Sequence, residues 1–146
     1  MEIEMAQEEN WFSVAHLQWA RVWLLIGMLL ITSIFYLSLT SRQLPIPHFR
    51  HVDKALHFAA YGFLMGWFVQ IFHNFKGRLV IGLGFIAMGV TIEFLQALHP
   101  MRHFDVLDML ANMTGVTLAL LAGFTWLDSI LVWFEKSWLH LSQNSR

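Results

Sequence analysis

Residues 22–39 read VWLLIGMLLITSIFYLSL, eighteen positions without a charged side chain, directly after Arg21. A helix needs about 20 apolar residues to cross the hydrocarbon of a bilayer, and this run is of that order. Three more stretches resemble it. Residues 55–72 carry only His57 and Gln70 as strongly polar side chains, residues 79–98 carry Glu93 and Gln96, and residues 106–127 carry Asp108 and Asn112. Four such stretches joined by short polar loops predict an all-α fold, an integral membrane bundle of four transmembrane helices. The flank MEIEMAQEEN is acidic and no A-x-A site follows the first stretch. That stretch therefore reads as a retained helix, not as a cleaved signal peptide.

Composition supports the same class. Of 146 residues, 57 % are apolar and 13 % charged, with 7 Trp, 13 Phe and a mean hydropathy of +0.54. A water-soluble domain of this size has too little interior to hide that much apolar surface. A net charge of -1 supplies no basic field to attract nucleic acid. Without cysteine there is no disulfide, thiolate nucleophile, iron–sulfur cluster or Cys-ligated zinc.

Three parts are expected along the chain. Residues 1–20 form an acidic, interfacial N-terminal segment, 21–127 the four-helix membrane domain, and 128–146 an amphipathic C-terminal segment. Residues 126–141 place Leu127, Ile130, Leu131, Phe134, Trp138 and Leu141 at helical spacing, the pattern of a helix lying in the membrane interface. Trp11, Trp19 and Trp23 flank the first stretch as interfacial anchors do. Gly62 and Gly66 form G-x-x-x-G in the second stretch, which permits close helix approach within the bundle or in a homo-oligomer. Loop charges set the orientation. One side holds Arg21, Lys76, Arg78, Lys136 and Arg146, and the other Arg42, Arg50, Lys54 and Arg102. With Lys54 and Arg102 set aside as site residues, five stand against two, which places both termini in the cytoplasm and loops 40–54 and 99–105 outside.

Polar residues inside spans are costly and usually face the bundle interior. Here they gather at one end of three helices. Asp53, His57 and Tyr61 stand at i, i+4 and i+8, on one face. Glu93 and Gln96 are an i, i+3 pair shortly before Pro100. Asp105, Asp108, Asn112 and Gly115 fall within an arc of about 80° at about 100° per residue. Asp105 suits an N-cap, and both aspartates favour the positive end of the helix. The topology brings these groups, with Lys54 and Arg102, to one level near a membrane face. His48, His51, His99 and His103 lie in loops on that side, and no H-E-x-x-H appears.

The order D-K-x-x-H-x-x-x-Y (Asp53, Lys54, His57, Tyr61), then E-x-x-Q (Glu93, Gln96), then R-x-x-D-x-x-D-x-x-x-N-x-x-G (Arg102 to Gly115) resembles the VanZ-like family over about residues 20–125. The resemblance implies a small multi-pass protein of the bacterial cytoplasmic membrane. It also implies a link to resistance against the glycopeptide teicoplanin, which gives the family its name. It implies no particular reaction.

Three functions follow from the cluster. It binds a phosphate-bearing lipid or envelope precursor through Lys54, Tyr61, Gln96, Arg102 and Asn112, without chemistry. Alternatively, it hydrolyses or transfers a lipid phosphoester. In that reading His57 is the general acid or base, oriented by Asp53, with Glu93 and Asp108 in the catalytic set. Asp105, Asp108 and Glu93 would then hold a divalent cation such as Mg²⁺. As a third alternative, an oligomer conducts protons or ions. The partner expected throughout is membrane lipid.

Overall fold

The computed structural model describes residues 10–40, 52–100, 102 and 104–138, together with the helical backbone of 139–144. The helices are α1 (Ala20–Leu39), α2 (Val52–Ile71), α3 (Phe75–Ala97), α4 (Val106–Ala122) and α5 (Ile130–Asn144), with a 3-10 turn at Trp126–Ser129. Among the described residues the one β-type pairing is an isolated antiparallel bridge between Val14 and Phe72. The acidic tail 1–9 and His48, His51 and His103 lie outside the described residues, as do Arg42, Arg50, Arg146 and the Leu141 side chain.

α2 is the hub. Its Tyr61, Leu64, Met65, Phe68 and Val69 form the core with Phe85 of α3 and Val116 of α4. α2 and α4 run parallel: Lys54 meets Asp105, Gly62 meets Gly115, and Val69 meets Gly123, in matching order. α3 runs antiparallel to both, with Gly82 near Met65 and Val116, and Gly89 near Tyr61 and Asn112. α1 lies outermost. Gly27 is its one buried residue, seated under the Phe68 ring, while Leu25, Met28, Leu29 and Tyr36 are exposed. An apolar face of that size is stable in lipid and not in water.

By length and composition α1 and α3 can cross a bilayer. A third span is available if α4 continues through Trp126–Trp138 across a 77° bend. Of the four spans expected, α2 therefore falls short, although its 20 residues are long enough. Asp53, Lys54, His57 and Gln70 dilute its hydropathy. These are tolerable because Asp53 lies at the exposed end of the helix, Lys54 is ion-paired, and His57 and Gln70 are hydrogen-bonded. The last expected stretch also stops early. α4 ends at Ala122, because Gly123 packs where any Cβ would collide with Val69 and its carbonyl accepts from Arg78 Nη1 at 2.7 Å.

The end of the bundle away from the polar cluster is closed by two buried ionic groups. Arg78, 4 % exposed, donates to the carbonyls of Phe72, Val69 and Gly123 and to Asp128 Oδ2. Glu135 on α5, 3 % exposed, accepts from the backbone N–H groups of Gln18 and Trp19 and from Trp23 Nε1. The amphipathic segment is thus a helix that packs back on the start of α1. Trp126, Trp133 and Trp138 point outward.

Candidate functional site

The start of α2, the end of α3 and the start of α4 meet at the other end of the bundle. Lys54 lies at the centre of their charges. Its Nζ donates to Asp53 Oδ2 at 2.6 Å and to Asp105, and lies 2.9 Å from Asp108 Oδ1. Asp105 is the N-cap of α4, accepting from Leu107 N at 2.8 Å. The hydrogen bond from Lys54, and then that from Leu107, hold the Asp105 carboxyl below the usual carboxylate range.

One turn deeper, His57 Nδ1 lies 3.2 Å from Asn112 Oδ1, and its Nε2 lies 3.7 Å from Asp108 Oδ2. Because an amide oxygen only accepts, Nδ1 carries the proton in this contact. Glu93 reaches in from α3. It is 1 % exposed, and its Oε2 accepts the Asp105 N–H at 3.3 Å. Its Oε1 is buried with no hydrogen-bond partner among the described residues, as is the Tyr61 hydroxyl. Packing brings these groups close. Gly115 lets α4 ride on the Phe58 carbonyl, and Gly89 leaves room for Tyr61 and Asn112.

Three expected arrangements differ in the structure. Asp53 does not orient His57; it sits at the exposed start of α2 and pairs with adjacent Lys54, while Asn112 and Asp108 flank the imidazole. Lys54 is not a free phosphate ligand, because carboxylates surround it. Arg102 and Gln96 do not join the cluster but turn to α1. Arg102 donates to Ser38 O at 2.6 Å and Thr40 O at 2.7 Å, and Gln96 to Ser38 O at 2.7 Å. Carbonyls left over at a helix C-terminus attract such donors. No local spacing in the sequence announces this, because the acceptors are main-chain atoms more than fifty residues away.

A cavity of about 300 Å³ opens between α1 and α2 beside the cluster. Ile34, Leu37, Leu56 and Ala60 form apolar wall, and Asp53, His57, Tyr61, Gln96 and Arg102 form the polar part. The sequence reading missed the contribution of α1 to this wall. Apart from the anchoring glycine, α1 shows no polar face that would have marked it.

Gly62, half of the G-x-x-x-G pair, packs on Gly115 within the chain, whereas Gly66 faces open space.

No curated protein and no solved structure matches this chain. A family does: residues 4–127 match VanZ/LLP1, a span holding every cluster and cavity residue described above, with the D-K-x-x-H, E-x-x-Q and R-x-x-D-x-x-D-x-x-x-N elements in order. With that match and its apolar helices, the chain is a membrane protein that belongs to the VanZ/LLP1 family.

Proposed function

We propose that this protein binds the headgroup end of a phosphate-bearing envelope lipid in the cavity between α1 and α2. The observation that carries the reading is the two-part lining. An apolar wall of Ile34, Leu37, Leu56 and Ala60 suits an acyl or polyprenyl chain, and Arg102 and Gln96 lie at its polar end. Arg102 spends one N–H on each of two carbonyls. A guanidinium carries five N–H donors, so three remain for phosphate oxygens. Holding an envelope precursor there, in the cytoplasmic membrane with both termini inside, would lower its access to glycopeptides such as teicoplanin.

Lipid co-purified in mild detergent and identified by mass spectrometry tests this. Two variants address the cavity. Arg102→Lys keeps a cation but loses the planar fork, and Leu56→Trp fills the apolar wall. Each should lower the phosphate-bearing lipid recovered at least about tenfold, a loss of about 1.4 kcal/mol. Equal recovery from both variants refutes the reading. Teicoplanin sensitivity of cells carrying each variant should rise in parallel.

A second reading, hydrolysis or transfer of the same lipid phosphoester, draws on His57. It lines the cavity, and Asn112 fixes its Nδ1 proton so that Nε2 is the basic nitrogen. Inorganic phosphate released from a polyprenyl phosphate, and lost in His57→Ala, would favour it. Transport has less support, because Leu64, Met65, Phe68 and Val69 fill the middle of the bundle.

A further inference from the structure

Carboxylates outnumber cations where α2, α3 and α4 meet. Among the described residues, Asp53, Asp105 and Asp108 surround Lys54, Glu93 adds a fourth carboxylate beside Asp105, and Arg102 donates to carbonyls at the end of α1. Two subsets of these groups have ligand atoms within 4.8 Å of one another: Asp53, Asp105 and Asp108, and His57, Glu93 and Asp108. A single ion with bonds of about 2.0–2.4 Å bridges donors up to about 4–5 Å apart. The first subset is already occupied. Lys54 Nζ contacts all three of its carboxylates and fills the place of an ion.

The second subset has what the first lacks. Glu93 Oε1 is buried and has no partner among the described residues, and Glu93 as a whole is 1 % exposed. Leaving a carboxylate oxygen in that state costs several kcal/mol unless a cation or proton meets it. The Tyr61 hydroxyl is likewise buried with no partner among the described residues. His57 is set up as a ligand: Nδ1 meets Asn112 Oδ1 at 3.2 Å, and Nε2 lies 3.7 Å from Asp108 Oδ2, a gap that one cation can bridge. An outer hydrogen bond that fixes the tautomer of a metal-binding imidazole is the common arrangement around metals. The Asp105 N–H holds Glu93 Oε2 in the same way.

We infer that His57, Glu93 and Asp108 bind one divalent transition-metal ion, with the Tyr61 hydroxyl beside it to donate to a coordinated water. One imidazole and two carboxylates suit ions that accept nitrogen as well as oxygen, such as Zn²⁺ or Mn²⁺, over Mg²⁺, which takes oxygen donors and dehydrates reluctantly. Asp105, expected from the sequence as a ligand, is a second-layer group. Its carboxylate is held by Lys54 and Leu107, and it contributes its backbone N–H instead. The site goes beyond lipid binding and does not depend on it.

The test uses the full chain purified in mild detergent, stripped with EDTA, then dialysed against Mn²⁺ or Zn²⁺ and analysed for metal. The expected result is about one ion per chain, with affinity at least about tenfold weaker in Glu93→Gln and in Asp108→Asn. Both replacements nearly keep shape and remove a buried charge. A second measurement needs no variant: pulsed EPR of the Mn²⁺-loaded chain should show one directly bound imidazole nitrogen. Less than about one fifth of an ion per chain, or no nitrogen coupling, overturns the inference. So does a loss of metal in Asp53→Asn that is absent from Glu93→Gln, which would place the ion at the Lys54 cluster. Lipid content measured on the same samples reports separately on the cavity, so either reading can fail alone.

Discussion

Gly115 shows how much of the site hangs on one hydrogen atom. A Cβ there would overlap the Phe58 carbonyl and stand 2.9 Å from Gly62 N, both rigid main-chain atoms of α2. Gly115→Ala should therefore push α4 away from α2 and cost about 1–3 kcal/mol, the usual penalty of overpacking. Gly66→Ala is the contrasting change, since nothing lies within 4 Å of its added methyl. It should be neutral or stabilising by up to about 1 kcal/mol. Thermal unfolding in detergent separates the two, and equal melting temperatures would contradict the packing described. A charge-based prediction also belongs at this scale. The Asp105 carboxyl is held below its ordinary value, so the folded state binds its proton more weakly than the unfolded state does. The contribution is complete above the unfolded value of about 4 and is lost as pH falls below it. Wild-type stability should thus drop on acidification through that range, and Asp105→Asn should remove part of the drop.

Elements are tied together by ionic side chains borrowed from far away. α1 begins after Trp19 with no side-chain cap of its own. Glu135 of α5 takes that role, accepting from Gln18 N at 2.6 Å and Trp19 N at 3.0 Å. A carboxylate suits the positive end of a helix and satisfies donors that would otherwise be orphaned. Glu135→Ala should cost about 1 kcal/mol, since it leaves the part-buried N–H groups of Gln18, Trp19 and Trp23 without their acceptor. The loss should be local: hydrogen exchange should accelerate over residues 18–23 and not at Glu93 or Asn112. Uniform acceleration would mean that the tie holds the whole bundle. At the same end of the molecule, Arg78 gathers three carbonyls and Asp128. The sequence presents Arg78 as a loop charge near the start of a helix. Its burial follows from the bend after α4, which brings Gly123 and Asp128 to it.

At the level of the whole molecule, the arrangement places the polar cluster and the Arg78–Glu135 closure at opposite ends. Labelling from the two sides of the membrane tests this directly, because the chain has no cysteine to confuse it. Leu98, after α3, is 80 % exposed, and Trp126, after α4, is 75 % exposed. Leu98→Cys should react with an impermeant maleimide in intact cells, and Trp126→Cys only after permeabilisation, if the cluster faces outward as the loop charges suggest. The reverse pattern would invert the orientation. Labelling of both from one side would mean that α4 does not cross with its neighbours.

Hydropathy and period are local quantities, so they sufficed for the class of fold, the approximate place of each helix and the polar faces of α2 and α4. Asp53, His57 and Tyr61 share a face because 3.6 residues make a turn, whatever surrounds them. The choice of partner for each charge is not local. That Lys54 would be ringed by aspartates, that Arg102 and Gln96 would reach the end of α1, and that the second half of α2 would be buried all depend on contacts between segments far apart in sequence. Only the packing of the helices against one another, with α2 on α4 at Gly62 and Gly115, decided them, because two helices must touch along their length before their side chains can select one another.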